Sequence, residues 1–461
     1  MFTGPDPSPD PGLEVPPGPL EEGNCQADHL IVPVEERTIP LDRMLATSSV
    51  MAAWMATRIA IESGLAPEVM DWISHRPELA TPVSGWKQLK EGIYLFEEGL
   101  DPYDSGVFHQ SPLLLHLFSF VHSPFLVTLV YGLVDCYSAW ILLRLFRSKW
   151  PKLTGPVKSI KLKDDQWMLS PTYQIEDWHL ILFYLFSPLN ILTSLSKSTV
   201  VFNNLAVLLA LDGALQNQMA FSMFSLSIGT HLSVYPALLV PSCIGIILDQ
   251  RASKSTTSTI AKSLGFFIGH FMSIGLFTPL SVLFSQLDVN KYLRPNVGLH
   301  WYFSIEMFDH FRLFFNVVFQ IHLLIYILPL IIKFKTEKVF GFVVMSGVIS
   351  TFKSYPSIGD TCFSNTLLLL LYPELIAYFR HPLLTISLYF YGLCLLPAFH
   401  HLWMNLGSGN ANFYYASTLV WAIANGLVWI DAISAMLKRS FRIVELGAKD
   451  IDESNEVIVQ I

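Results

Sequence analysis

Charged side chains are scarce in this sequence of 461 residues. Asp, Glu, Lys and Arg account for 14% of it, whereas soluble proteins carry roughly 25%. No basic segment of the kind that binds nucleic acids is present. Apolar residues make up 52% and aromatic residues 13%, a balance typical of chains that contact lipid and membrane interfaces. This composition excludes a string of soluble domains and predicts an all-α polytopic membrane protein.

Cysteine is scarce as well. Of five cysteines, four lie inside apolar segments, and no pair has CxxC or metal-ligand spacing. The sequence therefore argues against a disulfide framework, a structural zinc site and a cysteine nucleophile. We predict no metal, no other cofactor and no catalytic residue in this chain.

The sequence divides into two tails and a long apolar block. Residues 1–40 are rich in Pro and Gly without an apolar period, so we predict a disordered cytoplasmic tail over 1–43. This tail lacks the basic and apolar regions of a cleaved signal peptide. The membrane domain is predicted over 44–437, and a cytoplasmic C-terminal tail over 438–461. About twelve transmembrane helices are predicted, at 44–66, 124–146, 178–196, 199–216, 219–231, 232–248, 263–285, 307–332, 338–353, 361–379, 383–404 and 413–437.

Two of these regions are unusual. The first span carries Arg58 and Glu62 on one helix face, where they can pair inside a bundle or extend toward a membrane interface. Residues 219–248 can form one long helix, broken at His231 and Pro236, or two short ones. We favour two, because an even number of spans keeps the loop charges consistent.

The basic residues predict the orientation. They concentrate around 147–163, 251–262, 333–338, 380 and 438–449, whereas the alternate loops hold few. The positive-inside rule therefore predicts that both termini are cytoplasmic. The luminal segments are then 67–111, 286–303, 354–360 and 405–412. Such short polar connections cannot fold alone, so we expect them to pack together around a shared luminal mouth, where a function of this chain would lie.

The string GSGNANF places Asn410 and Asn412 after two glycines. The glycines permit close approach of the backbone to a ligand, and the amides offer donors and acceptors for sugar hydroxyls or phosphates. A plain turn between two helices would favour the same residue types. Both interpretations stay open from spacing alone.

A second polar group lies in EMFDHFRLFF, at the luminal start of a span. Glu306 and His310 share a helix face, and Asp309 and Arg312 lie beside them. This group is either a set of capping and charge pairs that anchors the span or a polar shelf for a lipid headgroup.

Catalysis by this chain would need acidic residues that the pattern does not supply. GLDPYDSGVFHQSPLL is similar to the first loop of multispanning glycosyltransferases that use lipid-linked sugars, but their Asp-x-Asp pair is absent. An active dolichol-linked enzyme would have to use Glu68, Asp71 or Glu91 as its base. A lipid transporter or scramblase is a further alternative, although we find no internal repeat of the kind many transporters show.

Six strings together carry a family resemblance: TPVSGWKQLKEG, DPYDSGVFHQSPLL, SPLNILTSLSKSTVVFNN, PNVGLHWYFSIEMFDHF, FKSYPSIGD and HLWMNLGSGNANFYYA. In this order they resemble the PIG-U family, a subunit of the glycosylphosphatidylinositol (GPI) transamidase. The resemblance implies a bundle similar to the glycosyltransferase-C fold, with luminal loops, in the membrane of the endoplasmic reticulum. It also implies a complex in which another, protease-like subunit supplies the catalytic Cys/His pair and further membrane and luminal subunits take part.

The resemblance further implies a binding role rather than a catalytic one. PIG-U chains are thought to present the GPI lipid to the complex that attaches it to precursor proteins, and to scaffold that complex. The headgroup contacts are then expected at Asn410 and Asn412, with Asn296, Glu306, His310 and Arg312 at neighbouring luminal positions.

Basic residues beside one cytoplasmic loop suggest a lipid contact of another kind. Lys254 and Lys262 flank a span and are placed to hold anionic phospholipid headgroups. The orientation rule alone would also put lysines there, so the two explanations remain open.

Overall fold

A computed structural model describes residues 41–64, 67–104, 106, 108–149, 176–251, 255–276, 282 and 294–447 of the protein. The regular secondary structure of this part is entirely helical. The prediction of an all-α protein is therefore confirmed. Most of the two predicted tails lies outside the described residues, as do Lys254 and residues 286–293 of the predicted loop 286–303.

The first part of the described chain contains nine α-helices: α1 (Leu41–Gly64), α2 (Pro67–Ser74), α3 (Trp86–Glu97), α4 (Pro112–Ser119), α5 (Pro124–Lys149), α6 (Asp177–Leu185), α7 (Pro188–Leu195), α8 (Val200–Leu215) and α9 (Met219–Leu232). The rest contains α10 (Val240–Gln250), α11 (Thr256–Gly275), α12 (His300–Glu306), α13 (Asp309–Ile325), α14 (Ile327–Lys333), α15 (Lys338–Phe352), α16 (Ile358–Leu371), α17 (Pro382–Met404) and α18 (Ala411–Gly447). Two 3-10 helices join them, Tyr235–Leu239 and Pro373–Tyr378.

Proline and capping residues explain where several of these helices begin. Pro112, Pro188 and Pro382 each lie in the first turn of a helix, where the missing N–H costs nothing and the fixed φ suits helical geometry. The α16 helix begins with a capping box between Ser357 and Asp360. These local signals set the helix boundaries before any packing is considered.

Helix length limits how many crossings the structure establishes. Among the described residues, five segments are long and apolar enough to span a membrane: Met44–Gly64, Pro124–Lys149, Asp309–Lys333, Pro382–Met404 and Ala411–Phe441. A sixth results if α6 and α7, bent by 53°, form one span. Four other apolar helices, Val200–Leu215, Tyr235–Gln250, Lys338–Phe352 and Ile358–Leu371, are shorter than the ~20 residues of a straight crossing. The figure of about twelve spans is therefore not confirmed.

The region 219–248 forms two helices, as predicted. The α9 helix ends at Leu232, and Ser233 has an extended backbone with φ −157° and ψ 133°. A 3-10 turn containing Pro236 then leads into α10. Proline has no N–H to continue the helical ladder, so the chain changes direction here.

One close helix contact depends on a glycine. Gly347 on α15 faces Trp429 on α18, and a Cβ atom at position 347 would lie 1.9 Å from the indole ring. The missing side chain lets the large ring enter the main apolar core, to which Trp429 belongs. This contact brings α15 and α18 together.

Charged residues inside the bundle are paired. Arg58 is fully buried, and its guanidinium lies 2.9 Å from Glu62 and 3.3 Å from Asp135. Lys197 contacts the same glutamate at 3.1 Å. Of the two alternatives left open for Arg58 and Glu62, the structure shows the pair inside the bundle, and the network connects α1, α5 and the chain between α7 and α8. The charges of two positive and two negative groups balance inside the bundle, where an unpaired charge would be strongly destabilising.

Candidate functional site

Four of the segments predicted to be luminal meet at one end of the bundle, which we call the loop end. An apolar cluster there joins Ile73 and Leu79 with Trp301 and Ile358, and Ala411 packs against it. These residues come from the chain near 67–111, 286–303, 354–360 and 405–412. The prediction that these connections pack on one another is therefore confirmed for their described residues.

An aromatic cluster supports this end of the bundle. It consists of Trp301, Tyr302, Trp403, Tyr414 and Tyr415, and Trp301 is fully buried at its centre. The ring of Trp301 lies 5.8 Å from that of Tyr414 and 6.3 Å from that of Trp403, whereas Tyr302 stacks on Tyr415 at 4.5 Å. Aromatic contacts at these separations are favourable beyond the burial of area. These contacts fix the arrangement of α12, α17 and α18 at the loop end.

The turn between α17 and α18 exposes the two predicted amides. Gly407 has φ +65°, a value that glycine adopts without strain, and the N–H groups of Ser408 and Gly409 donate to the Leu402 carbonyl at 3.1 and 3.0 Å. Asn410 and Asn412 then lie exposed at the start of α18. Main-chain hydrogen bonds thus hold the turn, leaving its side chains accessible.

The two asparagines have different roles within the chain. The Asn410 side-chain oxygen accepts a hydrogen bond from the Phe413 N–H at 3.3 Å, as a helix-capping residue does. The Asn412 oxygen accepts one from the Tyr302 hydroxyl. Each amide also carries two N–H donors. Both side chains can therefore be held by the protein and still donate to a ligand.

Tyr302 connects two of the predicted residues. Besides its bond to Asn412, its hydroxyl lies within hydrogen-bond reach of the Glu306 carboxylate. Sequence reasoning did not select Tyr302. The available signal was its spacing, because Tyr302 precedes Glu306 by four residues and so shares its helix face.

Arg312 and His310 lie nearby but make other contacts. The Arg312 guanidinium lies 2.5 Å from the Asp309 carboxylate and donates to the Ser304 carbonyl at 3.0 Å. It therefore ties α12 to α13, as the anchoring interpretation predicts, while its side chain stays 28% exposed. His310 is exposed, with its ring 4.0 Å from that of Phe311.

Asn296 differs from the other predicted residues because it is fully buried. Its side-chain oxygen accepts the Gly298 N–H at 2.7 Å, which shapes the loop before α12. Gly298 in turn lies against Pro356, where a Cβ atom would come within 2.7 Å of the proline ring. In this structure Asn296 positions the loop rather than presenting an amide at the surface.

The acidic residues considered for catalysis do not form a pair. Glu68 and Asp71 are exposed on α2, with Asp71 3.4 Å from His75, and Glu91 lies on a separate helix. A buried acid nearby, Glu78, is neutralised by Arg76 at 2.7 Å.

Burial, with a smaller effect of His322, lowers the pKa of His300 to about 4. His300 is therefore uncharged near neutral pH, and its ring packs on Phe319.

Lys262 is exposed on α11. Its predicted companion Lys254 lies outside the described residues. The described chain thus shows one of the two lysines on an accessible helix surface.

Comparison with known proteins identifies the relatives of this chain. The family model described as "GPI transamidase subunit PIG-U" matches residues 52–421. The chain is 33% identical over 390 residues to the GPI transamidase component GAB1 of Saccharomyces cerevisiae, covering 83% of this chain and 93% of that protein. It is 31% identical over 421 residues to the human GPI-anchor transamidase component PIGU, covering 84% and 94%. The chain therefore belongs to the PIG-U family of GPI transamidase subunits.

Proposed function

We propose that this chain is a non-catalytic membrane subunit of the GPI transamidase, which binds and presents the GPI lipid and scaffolds the complex. It acts in the membrane of the endoplasmic reticulum beside the catalytic and other subunits. The domain over 44–437 crosses the membrane about twelve times, with tails 1–43 and 438–461 in the cytoplasm. The loop end of the bundle is then luminal.

The observation that carries this proposal is the polar surface formed by Asn410, Asn412, Tyr302 and Glu306 above the aromatic cluster. The Asn410 oxygen accepts the Phe413 N–H and the Asn412 oxygen accepts the Tyr302 hydroxyl, while Glu306 lies beside that hydroxyl, and both asparagines and Glu306 are exposed. Groups fixed in this way lose little freedom when a ligand binds. Family membership makes a GPI lipid the most suitable ligand.

The charges at this surface suit the parts of such a lipid. Glu306 is placed to accept hydrogen bonds from an ethanolamine ammonium or from sugar hydroxyls, and Arg312 to approach a phosphate. The amide donors of Asn410 and Asn412 suit either phosphate or hydroxyl oxygens. A headgroup that contains ammonium, sugar and phosphate groups matches this mixture better than a single phosphate does.

Apolar side chains are also exposed on the elements that neighbour the polar group in sequence. Several large side chains near α13 and the α17–α18 turn are exposed: Phe308, Phe311, Leu313, Phe314, Leu406 and Phe413. An amphipathic lipid needs an apolar surface for its chains beside a polar rim for its headgroup. The two surfaces together support binding of a lipid rather than of a soluble sugar.

The proposal assigns catalysis to another subunit. The described cysteines lie on α5, α10, α16 and α17, away from the loops that carry the polar surface. A thiol with a neighbouring base is what a Cys/His enzyme requires. We also propose that Lys262, with Lys254, contacts anionic phospholipid on the cytoplasmic side.

The test replaces both amides. In cells that lack the endogenous subunit, we expect Asn410→Ala/Asn412→Ala to lower the GPI lipid that co-purifies with the complex, and to lower the surface level of a GPI-anchored reporter. Losing two hydrogen bonds of ~1 kcal/mol each predicts roughly a 10- to 30-fold weaker affinity. Mass spectrometry of the bound lipid and flow cytometry of the reporter measure the two effects.

The matched control is Asn405→Ala, an exposed asparagine in the same turn, which should leave both readouts unchanged. Unaltered lipid retention in the double variant would contradict the proposal. Loss of function in Asp71→Asn with normal assembly would instead indicate a glycosyltransferase that uses that carboxylate as its base.

A further inference from the structure

One face of α5 exposes hydrogen-bonding side chains where contact with lipid would favour purely apolar ones. Tyr137, Trp140 and Arg144 follow one another at spacings of three and four residues, so they lie on the same side of the helix. Tyr137 and Trp140 are 43% and 42% exposed, and the Arg144 side chain is 39% exposed. Leu142 and Phe146, on the opposite side, are buried. We call the three exposed residues the α5 face.

The side chains of the α5 face hold one another in place. The Tyr137 and Trp140 rings are stacked, with centroids 5.8 Å apart and planes inclined by 14°. The Arg144 guanidinium lies 5.5 Å from the centre of the Trp140 ring, a distance suited to a cation–π contact. It also lies 3.4 Å from the Asp212 carboxylate on α8, so its charge is balanced. The face is therefore arranged before any partner binds.

Tyr137 lies deep within a candidate span. The α5 helix has 26 residues, which correspond to ~39 Å of length, whereas the hydrocarbon core of a bilayer is ~30 Å thick. Tyr137 is near the middle of this helix, and Trp140 is ~4.5 Å further along its axis. Tyrosine and tryptophan that anchor a span lie at the membrane interfaces. Interfacial anchoring therefore does not explain Tyr137.

Two donors on the α5 face lack acceptors within the described chain. No described residue accepts a hydrogen bond from the Tyr137 hydroxyl or from the Trp140 indole N–H. Both side chains are exposed, so an outside group can reach them. A polar group that faces hydrocarbon without a partner is unfavourable by several kcal/mol. The α5 face would therefore be stabilised by acceptors from outside this chain.

A transmembrane helix supplies such acceptors better than lipid does. Acyl chains have none, and a sterol has one hydroxyl, close to the headgroups. Serine, threonine, asparagine and glutamine on a neighbouring helix form hydrogen bonds across the contact at any depth. The exposed side of α13 is different, because Val317, Ile321 and Leu324 have no hydrogen-bonding side-chain atoms and suit acyl chains.

We propose that the α5 face is the docking site for a transmembrane helix of another subunit, and that this helix places hydroxyl or amide side chains beside Tyr137 and Trp140. The ~4.5 Å between the two levels is close to one turn of such a helix. The inference rests on the proposed function in one respect, since a subunit that scaffolds a membrane complex must contact the spans of its partners.

The first test maps contacts in the intact, detergent-purified complex. A photoreactive amino acid at position 140 should form an adduct with an apolar segment of another subunit. Peptide mass spectrometry should place that adduct within one helical turn of a serine, threonine, asparagine or glutamine. The control carries the same amino acid at position 324, on the exposed side of α13, and should form adducts with lipid. Adducts at position 140 with lipid alone, or with a second copy of this chain, would overturn the proposal.

The second test removes the two donors and keeps aromatic rings in their places. Tyr137→Phe/Trp140→Phe should raise the apparent Kd for the docked subunit roughly tenfold, because two hydrogen bonds across the helix contact are lost. Dilution of the complex in detergent, followed by size-exclusion chromatography, measures how much of that subunit remains bound.

The matched control is Tyr94→Phe/Trp72→Phe. These residues are exposed on α3 and α2, outside the candidate spans, where water can accept the same hydrogen bonds. Its apparent Kd should equal that of the unaltered complex. Equal values for the two double variants would overturn the proposal, and the cross-linking test remains informative if the α5 variant does not assemble.

The two proposals can fail separately. If Asn410→Ala/Asn412→Ala loses the GPI lipid while Tyr137→Phe/Trp140→Phe releases no subunit, the α5 face is wrongly assigned and the lipid surface stands. If the α5 variant releases a subunit while the asparagine variant retains the GPI lipid, the docking site stands and the lipid surface is wrongly assigned.

Discussion

The hydroxyl of Tyr302 determines how two separate helices share one polar surface. It donates to the Asn412 oxygen on α18 and lies within reach of Glu306 on its own helix. Tyr302 is also stacked on Tyr415, so the ring stays in place when the oxygen is removed. The hydroxyl can therefore be tested apart from the packing.

We predict that Tyr302→Phe weakens GPI-lipid retention without preventing assembly of the complex. A lost hydrogen bond of ~0.5–1.5 kcal/mol corresponds to roughly a two- to tenfold change. Quantitative mass spectrometry of lipid per complex measures it. Tyr94→Phe, at an exposed position on α3, is the control, and equal retention in the two variants would show that Tyr302 does not organise the site.

Among single residues, the sequence was most informative where chemistry and turn preference coincide. Asn410 and Asn412 follow glycines in a polar connection, and both lie exposed in the structure. Asn296 has the same side chain in a similarly polar segment, but it is buried and bonded to its own loop. Composition could not separate these cases, because exposure depends on residues far away in the chain.

Two contacts between elements define how the helices pack. The first is the approach of α15 to α18, where Trp429 occupies the space beside Gly347. The second is the charged network of Arg58, Glu62, Asp135 and Lys197. Each has a direct test.

We predict that Gly347→Ala destabilises the chain by ~1–3 kcal/mol, because the new methyl group overlaps the indole and the core cannot expand freely. Gly426→Ala is the control on α18, where a Cβ atom meets nothing within 4 Å and alanine favours the helix. Thermal unfolding of the detergent-solubilised chain should show a lower midpoint for position 347 only. A similar shift at both positions would mean that contact with the Trp429 indole does not cause the loss of stability.

For the charged network we predict that two substitutions have non-additive effects on the free energy of unfolding. Arg58→Met should cost ~3–5 kcal/mol, since it leaves Asp135 buried without its cation. Adding Asp135→Leu should recover part of that loss, because Glu62 still has Lys197 as a partner. Steady-state chain levels and unfolding midpoints report the difference, and a double variant less stable than the single one would refute this account.

At the scale of the whole molecule, the two ends of the bundle differ in character. The loop end carries the aromatic cluster and the exposed amides. The other end carries exposed or partly exposed ion pairs, including Arg144 with Asp212, Arg147 with Asp177 and Lys338 with Asp249. The predicted orientation places this second end on the cytoplasmic side.

We predict that both termini are accessible from the cytoplasmic side. In sealed vesicles of endoplasmic reticulum, added protease should remove epitope tags at either end, while a tag inserted at Gly99, in the exposed loop after α3, should survive until detergent is added. Protection of one terminus would imply an odd number of crossings and would reverse the assignment of half the loops.

Hydropathy and residue type alone predicted the helical class, the membrane block and the breaks near Ser233 and between α17 and α18, because lipid exposure and backbone preference are local properties. The sequence also allowed Arg58 to pair with Glu62, since both lie on one helix four residues apart, but it left extension toward the membrane interface equally open. The partners Asp135 and Lys197 were not, because they reach Arg58 and Glu62 only when α1, α5 and the chain before α8 assemble.

The same reasoning applies to the polar surface around Asn412. The sequence by itself determined which polar groups lie at the ends of the apolar segments. It also contains the six strings that resemble the PIG-U family, in the same order. Only the tertiary structure decided that the Tyr302 hydroxyl reaches Asn412 beside Glu306 and that Asn296 turns inward. Each of these contacts joins groups separated in sequence, and their free energies depend on burial and distance, which exist only after the helices have packed.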